Sequence, residues 1–214
     1  MITNRILKEE GIGGVNIRRV AKEAGCTSAV LYKHFENREH LIMLASVKFL
    51  EPYILEFQKQ IRRTDISSIQ MDLILWRLFI SEAFMNKPYY ELMFFGPERE
   101  KLEECVYEYY QLFPEYARRF DGLGASIIFN SNISNRELIR LRRAANEGLI
   151  TLENAEILSR LSSAVFQGMF MQYPYTEMKE NPASLKLATE DCFHLIFELF
   201  RKFVKPGTVL DIDS

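Results

Sequence analysis

Residues 16–42 read NIRRVAKEAGCTSAVLYKHFENREHLI, and their spacing decides the fold. Ile17, Val20, Ala21 and Ala24 recur at helical intervals behind Asn16, a good N-cap, so the stretch opens on a short helix that Gly25 ends. A turn of only a few residues leads to a second short helix, from about Ser28 to Phe35, with Leu31 and Phe35 on one face. Asn37 is placed to cap a third helix that carries Leu41, Ile42, Leu44 and Ala45. Two short helices joined by a tight glycine-containing turn cross steeply, so the second protrudes while the first braces it. Small Ala21 and Ala24 permit the close crossing, and the outer face of the second helix presents Thr27, Ser28, Ala29, Tyr32 and Lys33. Hydroxyls, a small residue, an aromatic ring and a cation suit a DNA major groove. They equally suit the solvated face of any helical hairpin.

Outward from this stretch the pattern stays helical nearly throughout. On the N-terminal side, Ile6 and Leu7 lie in a short helix that stops at Gly11, Gly13 and Gly14. On the other side, the third helix runs toward Arg63 with Pro52 as a kink. Further helices are expected from about Ile66 to Asn86, after Pro88, from Pro97 to about Leu112, from Asn135 to Glu147, from behind Thr151 to about Tyr173, and from Ala183 to Val204. Chain across Pro114 and Gly122–Gly124 reads as irregular, and the apolar run Ala125–Phe129 is too short to separate strand from buried helix. The expected fold class is all-α: an N-terminal three-helix helix-turn-helix unit over 1–46 and a larger C-terminal helical bundle over 47–214.

Composition agrees with an ordered globular protein, 48% hydrophobic and 26% charged over 214 residues. The net charge of −2 is unevenly spread: residues 1–48 hold eight Lys/Arg against five acids, which leaves the remainder acidic. That balance turns one end toward a polyanion. Cys26, Cys105 and Cys192 lie far apart with no metal-ligand spacing, which suits a reducing compartment, and no apolar run reaches membrane-spanning length, so a cytoplasmic location is expected. Three histidines, His34, His40 and His194, form no catalytic or metal-binding constellation. The expectation is therefore a protein that is not an enzyme and carries no metal or cofactor.

Several spaced identities in 16–42 resemble the DNA-binding segment of TetR-family regulators: Val20-Ala21, Ala24-Gly25, Leu31-Tyr32, His34-Phe35 and Arg38-Glu39. The resemblance implies that Tyr32, His34 and Arg38 touch phosphates, that Thr27, Ser28, Ala29 and Lys33 face the groove, and that Asn16 both caps its helix and reaches a phosphate. Arg18 joins these as a DNA-binding candidate. Cys26 stands in the turn where the family usually has Val, and Met1 falls within the first helix, which the family usually starts earlier.

A weaker resemblance covers residues 142–173, with the Glu-Gly-x-Ile turn at 147–150. It implies that the last two long helices build a four-helix bundle with a second copy, with Leu158, Leu161, Val165, Phe166, Phe193, Phe197 and Phe200 as candidate interface residues. It also favours an effector cavity among the soft residues of the middle helices: Trp76, Phe79, Tyr89, Tyr90, Met93, Phe94, Tyr107, Tyr110 and Phe166. The implied function is a ligand-responsive regulator, commonly a repressor, that binds a palindromic duplex as a homodimer and answers a small hydrophobic or aromatic effector. The alternative is a helical ligand- or partner-binding relative that has lost specific DNA binding through a shortened first helix.

Overall fold

The computed structural model describes residues 2–114 and 130–212, and no strand occurs among them. Gly122–Gly124 and Ala125–Phe129 lie outside the described residues. The fold is all-α, and the chain groups into two compact units. One holds the described residues of Met1–Glu51 and Pro88–Phe120, the other those of Pro52–Lys87 and Asp121–Ser214. The grouping is discontinuous in sequence, whereas local patterning suggests one cut at 46/47.

The first unit contains α1 (Ile2–Glu10), α2 (Ile17–Glu23), α3 (Ser28–Leu31), α4 (Arg38–Ser46), most of α7 (Lys87–Phe95) and α8 (Leu102–Leu112). Its core is the apolar face that helical spacing announced: Ile6, Leu7, Ile17, Val20, Ala21 and Leu41 through Ala45 are all buried. Polar bonds fasten α1 to that core. The Asn4 amide donates to the Ala45 carbonyl at 2.7 Å, and the Tyr89 hydroxyl donates to the Leu7 carbonyl at 2.5 Å while its ring stacks on Phe49.

The expected long helix from Asn37 toward Arg63 is interrupted. α4 stops at Ser46, a 3-10 turn covers Val47–Leu50, and α5 (Glu51–Gln60) begins anew. Pro52 explains the break: it has no N–H to donate, and its ring would strike the carbonyl four residues back in a continuous helix. It therefore sits in the first turn of α5 instead of kinking a longer rod. A similar tightening replaces the expected helix start at Pro97, where a 3-10 turn, Arg99–Lys101, leads into α8.

In the second unit, α5 from Pro52 onward is joined by α6 (Ser68–Met85), α9 (Ile133–Asn146), α10 (Leu152–Gln172), α11 (Tyr175–Glu180) and α12 (Pro182–Phe203). α11 is additional to the sequence expectation. Caps set the helix starts: Ser67 and Gln70 form a reciprocal capping box on α6, Thr151 caps α10 and Asn181 caps α12. Lys87, buried against the Phe170 ring, donates to the Phe170 carbonyl, one of the last carbonyls of α10 that lack a partner within the helix.

Charged residues occupy the centre of this unit. Arg140 Nε donates to Asp72 Oδ1, and both side chains are buried. Beside them, Glu137 Oε1 accepts from Trp76 Nε1 at 2.8 Å. Ser162 Oγ meets both Glu137 Oε2 and the Leu158 carbonyl, and one hydroxyl proton cannot serve two acceptors. A proton on Glu137 completes the chain. Burial, reinforced by neighbouring Asp72, pushes the Glu137 carboxyl well above its ordinary range, in keeping with a neutral acid there.

Candidate nucleic-acid interface

The α2–α3 hairpin is built locally. Asn16 Oδ1 accepts from the backbone N–H groups of Arg18 (2.9 Å) and Arg19 (3.4 Å), so the expected cap on α2 is made. Gly25 leaves α2 at φ 69°, a conformation that costs other residues, and the Cys26 N–H returns to the Ala21 carbonyl at 2.9 Å. Thr27 then enters α3 with no side-chain cap bond, and its side chain faces outward. α3 is shorter than expected. After Leu31 the chain tightens, with Lys33 bonding back to Val30 and His34 to Leu31, which closes the helix by three-residue steps and turns it toward Asn37.

Of the residues expected on the outer face, Thr27, Ala29, Tyr32, Lys33 and His34 are exposed and Ser28 is half-buried. Tyr32 stands out with 56% of its surface accessible. Leu31 and Phe35 are half-buried on the inner side.

Cations in this unit divide into two groups. Arg19 is held by Glu10 at 2.6 Å and Glu23 at 3.0 Å, and Arg5 by Glu9 and Glu23. The Arg19 pair holds the Glu10 carboxyl below its usual range. Arg38 donates from Nε to the Val15 carbonyl at 2.7 Å and from an Nη to the Ile12 carbonyl at 2.8 Å, with Glu39 at 3.2 Å. Its guanidinium thus fastens the α1–α2 connection to the start of α4, a role that local spacing did not reveal. Arg18, Lys22 and Lys33 are exposed and enter no ion pair among the described residues. Lys22 was absent from the sequence-derived set. These three cations, on and next to the α2–α3 hairpin, are unneutralised like Lys8 and Arg99 of the same unit, and form a surface that can displace counterions from phosphates.

The nine residues expected to line an effector cavity fall in different places. Trp76 and Phe79 line, with Tyr53, Leu75, Ile133, Arg136 and Arg140, a cavity of about 10 Å³ in the second unit, the room of about one water. Phe166 packs against both rings, at centroid distances of 5.8 and 5.1 Å. Tyr89, Tyr90, Met93, Phe94 and Tyr110 are buried in the first unit, and Tyr107 is 63% exposed. The Arg136 guanidinium lies over the Tyr53 and Phe79 rings, at 5.5 and 5.3 Å.

Among the residues expected to meet a second copy, Leu158, Phe166 and Phe200 are buried within their own protomer. Val165, Phe193 and Phe197 are half-buried, and Phe193 lies under Arg77 at 4.7 Å. Leu161 alone of the seven is exposed. It belongs to an outer stripe on α10 formed by Ile157, Leu161, Ala164, Gly168 and Met171, accompanied on α12 by exposed Leu187 and Leu195. Both faces of α10 are apolar, so periodicity did not separate the face turned inward from the one left open.

Residues 3–43 match the family model described as bacterial regulatory proteins, tetR family. An HTH-type transcriptional regulator of Staphylococcus aureus (strain MRSA252) is 28% identical over 125 residues, 52% of this chain and 63% of that protein. Another, from Staphylococcus aureus (strain bovine RF122 / ET3-1), is 33% identical over 61 residues, 28% of this chain and 32% of that protein. The matches thus span less than two thirds of either relative. Among solved structures, the TetR family transcriptional regulator PfmR from Thermus thermophilus shares the fold, with a TM-score of 0.53, 15% identity and coverage of 92% of this chain and 94% of that one.

Proposed function

We propose, from the match of residues 3–43 to the tetR-family model, that the chain is a TetR-family repressor that binds a palindromic operator as a homodimer and releases it on binding a small hydrophobic or aromatic effector. One observation carries the DNA-binding part: α3 and the residues flanking it leave Thr27, Ala29, Tyr32 and Lys33 exposed, on a hairpin that also carries the unneutralised cations Arg18 and Lys22. Short side chains on α3 reach base edges, and the cations with Tyr32 and His34 hold phosphates. A two-fold pair of such heads reads half-sites about 34 Å apart or a multiple of that.

The outer stripe of α10 supports pairing with a second copy. Ala164 and Gly168 allow close approach, and Ile157, Leu161 and Met171 supply apolar area. For the effector, Trp76 and Phe79 are the first candidates. Their cavity is water-sized, so a larger guest must displace packed side chains, and it regulates only if it binds the two DNA-affinity states unequally.

Selection of the purified chain on random duplexes, followed by sedimentation of the complex, tests the reading. Enrichment of a palindrome bound by two copies is expected. A folded chain that enriches no sequence would contradict it and favour a helical relative without specific DNA binding.

A further inference from the structure

α8 and its lead-in turn reach the exit of the reading helix through two polar contacts. Lys101 Nζ meets the Glu36 carboxylate at 2.7 Å. His40 Nε2 lies 3.1 Å from Glu108 Oε2. The two contacts converge on one residue, because the Glu36 backbone N–H donates to His40 Nδ1 at 3.3 Å. A backbone N–H only donates, so Nδ1 is the acceptor and the ring proton sits on Nε2, where it is given to Glu108. The His40 ring also packs edge-on against Phe35 at 5.9 Å, with 11% of the side chain accessible.

Lys101 stands at the N-cap of α8, and Glu108 lies seven positions further along, within the helix. Cys105 lies between them, buried, and its thiol is pushed up to about 12, first by burial and then by Glu108. Glu36 is therefore gripped at its carboxylate from the start of α8 and at its backbone, through His40, from further along that helix. It is also a carboxylate one residue beyond the reading segment, where an unpaired negative charge would repel phosphates. Lys101 neutralises it and holds its carboxyl below the usual range.

We propose that Lys101 and Glu108 are positioning residues of the DNA interface, which fix the exit of α3 through Glu36 and His40. The proposal rests on the DNA-binding reading and adds a second support for α3 besides its brace on α2. Without the clamp, α3 remains folded but loses its fixed angle, so base contacts suffer more than phosphate contacts.

The test titrates full-length Lys101→Ala and Glu108→Ala, by anisotropy, against the selected operator and a random duplex of equal length. The ratio of the two affinities should fall on the order of fivefold in each variant, with helical content and melting temperature retained. Glu108→Gln, which still accepts from His40, should restore the ratio. An unchanged ratio in both folded alanine variants would overturn the proposal. If the unmodified chain prefers no duplex, the DNA-binding reading fails by itself, and hydrogen exchange then decides the clamp. Faster exchange of amides 32–36 in the two variants supports it, and equal rates overturn it.

Discussion

The two units spend the same charged residue types in opposite ways. In the first, Arg18, Lys22 and Lys33 stand in solvent without ion partners among the described residues, beside a helix with little buried surface. In the second, Arg136, Arg140, Asp72 and Glu137 lie within the core, where each charge must be matched or removed by a proton. A surface cation costs little to keep and gains by meeting a polyanion, whereas a buried one is tied to its partner. Substitutions in the first unit should therefore change binding with little loss of stability, and those in the second the reverse.

The largest expected effect is in the buried pair. Arg140→Ala strands Asp72, whose Oδ2 already lacks a hydrogen-bond partner among the described residues, and should cost about 3–5 kcal/mol in urea unfolding. A loss below about 1 kcal/mol would mean that the pair is solvated and that the contrast between the units is wrong.

Glu137 sharpens the comparison through pH. Its folded-state carboxyl is raised above the ordinary 4.5, so the folded chain keeps a proton that the unfolded chain releases. Stability from this group is full below the unfolded-state value and is lost as pH climbs toward the folded one. Glu137→Gln keeps an acceptor for Trp76 and a donor for Ser162 without a titrating proton. It should be close to neutral in stability at acid pH and increasingly stabilising as pH rises, as read from melting curves across that range. A parallel pH dependence in the variant and the unmodified chain would show that Glu137 is ionised in the fold.

The smallest stability effect is expected on the outer stripe of α10. Leu161→Glu, at a position 38% exposed, should change unfolding by no more than about 0.5 kcal/mol yet shift sedimentation toward a single copy. An unaltered association state would place the copy–copy contact elsewhere.

The sequence made the hairpin legible because its determinants are local. Asn16 caps residues two and three positions on, Gly25 turns the chain beside it, and the α3 side chains follow from helical spacing. Residues 88–114 gave no local sign of grouping with the hairpin, since the ties involved join positions far apart, His40 to Glu108 and Tyr89 to Leu7. Arg38 shows the same limit: its type and place suggest phosphate, but only the folded chain reveals the Ile12 and Val15 carbonyls at its guanidinium. On α10, Phe166 turns inward and Leu161 outward, although both are apolar at helical intervals. In the middle helices, chemically similar rings were divided between the units, which no periodicity encodes.

The most direct test of the central claim is the salt dependence of duplex binding by the chain and by the triple variant Arg18→Ala/Lys22→Ala/Lys33→Ala. If these cations meet phosphates, the slope of log affinity against log salt should shrink by about 0.9 for each, with the melting temperature unchanged. An equal slope in the folded triple variant would contradict the account and place the DNA-facing surface elsewhere.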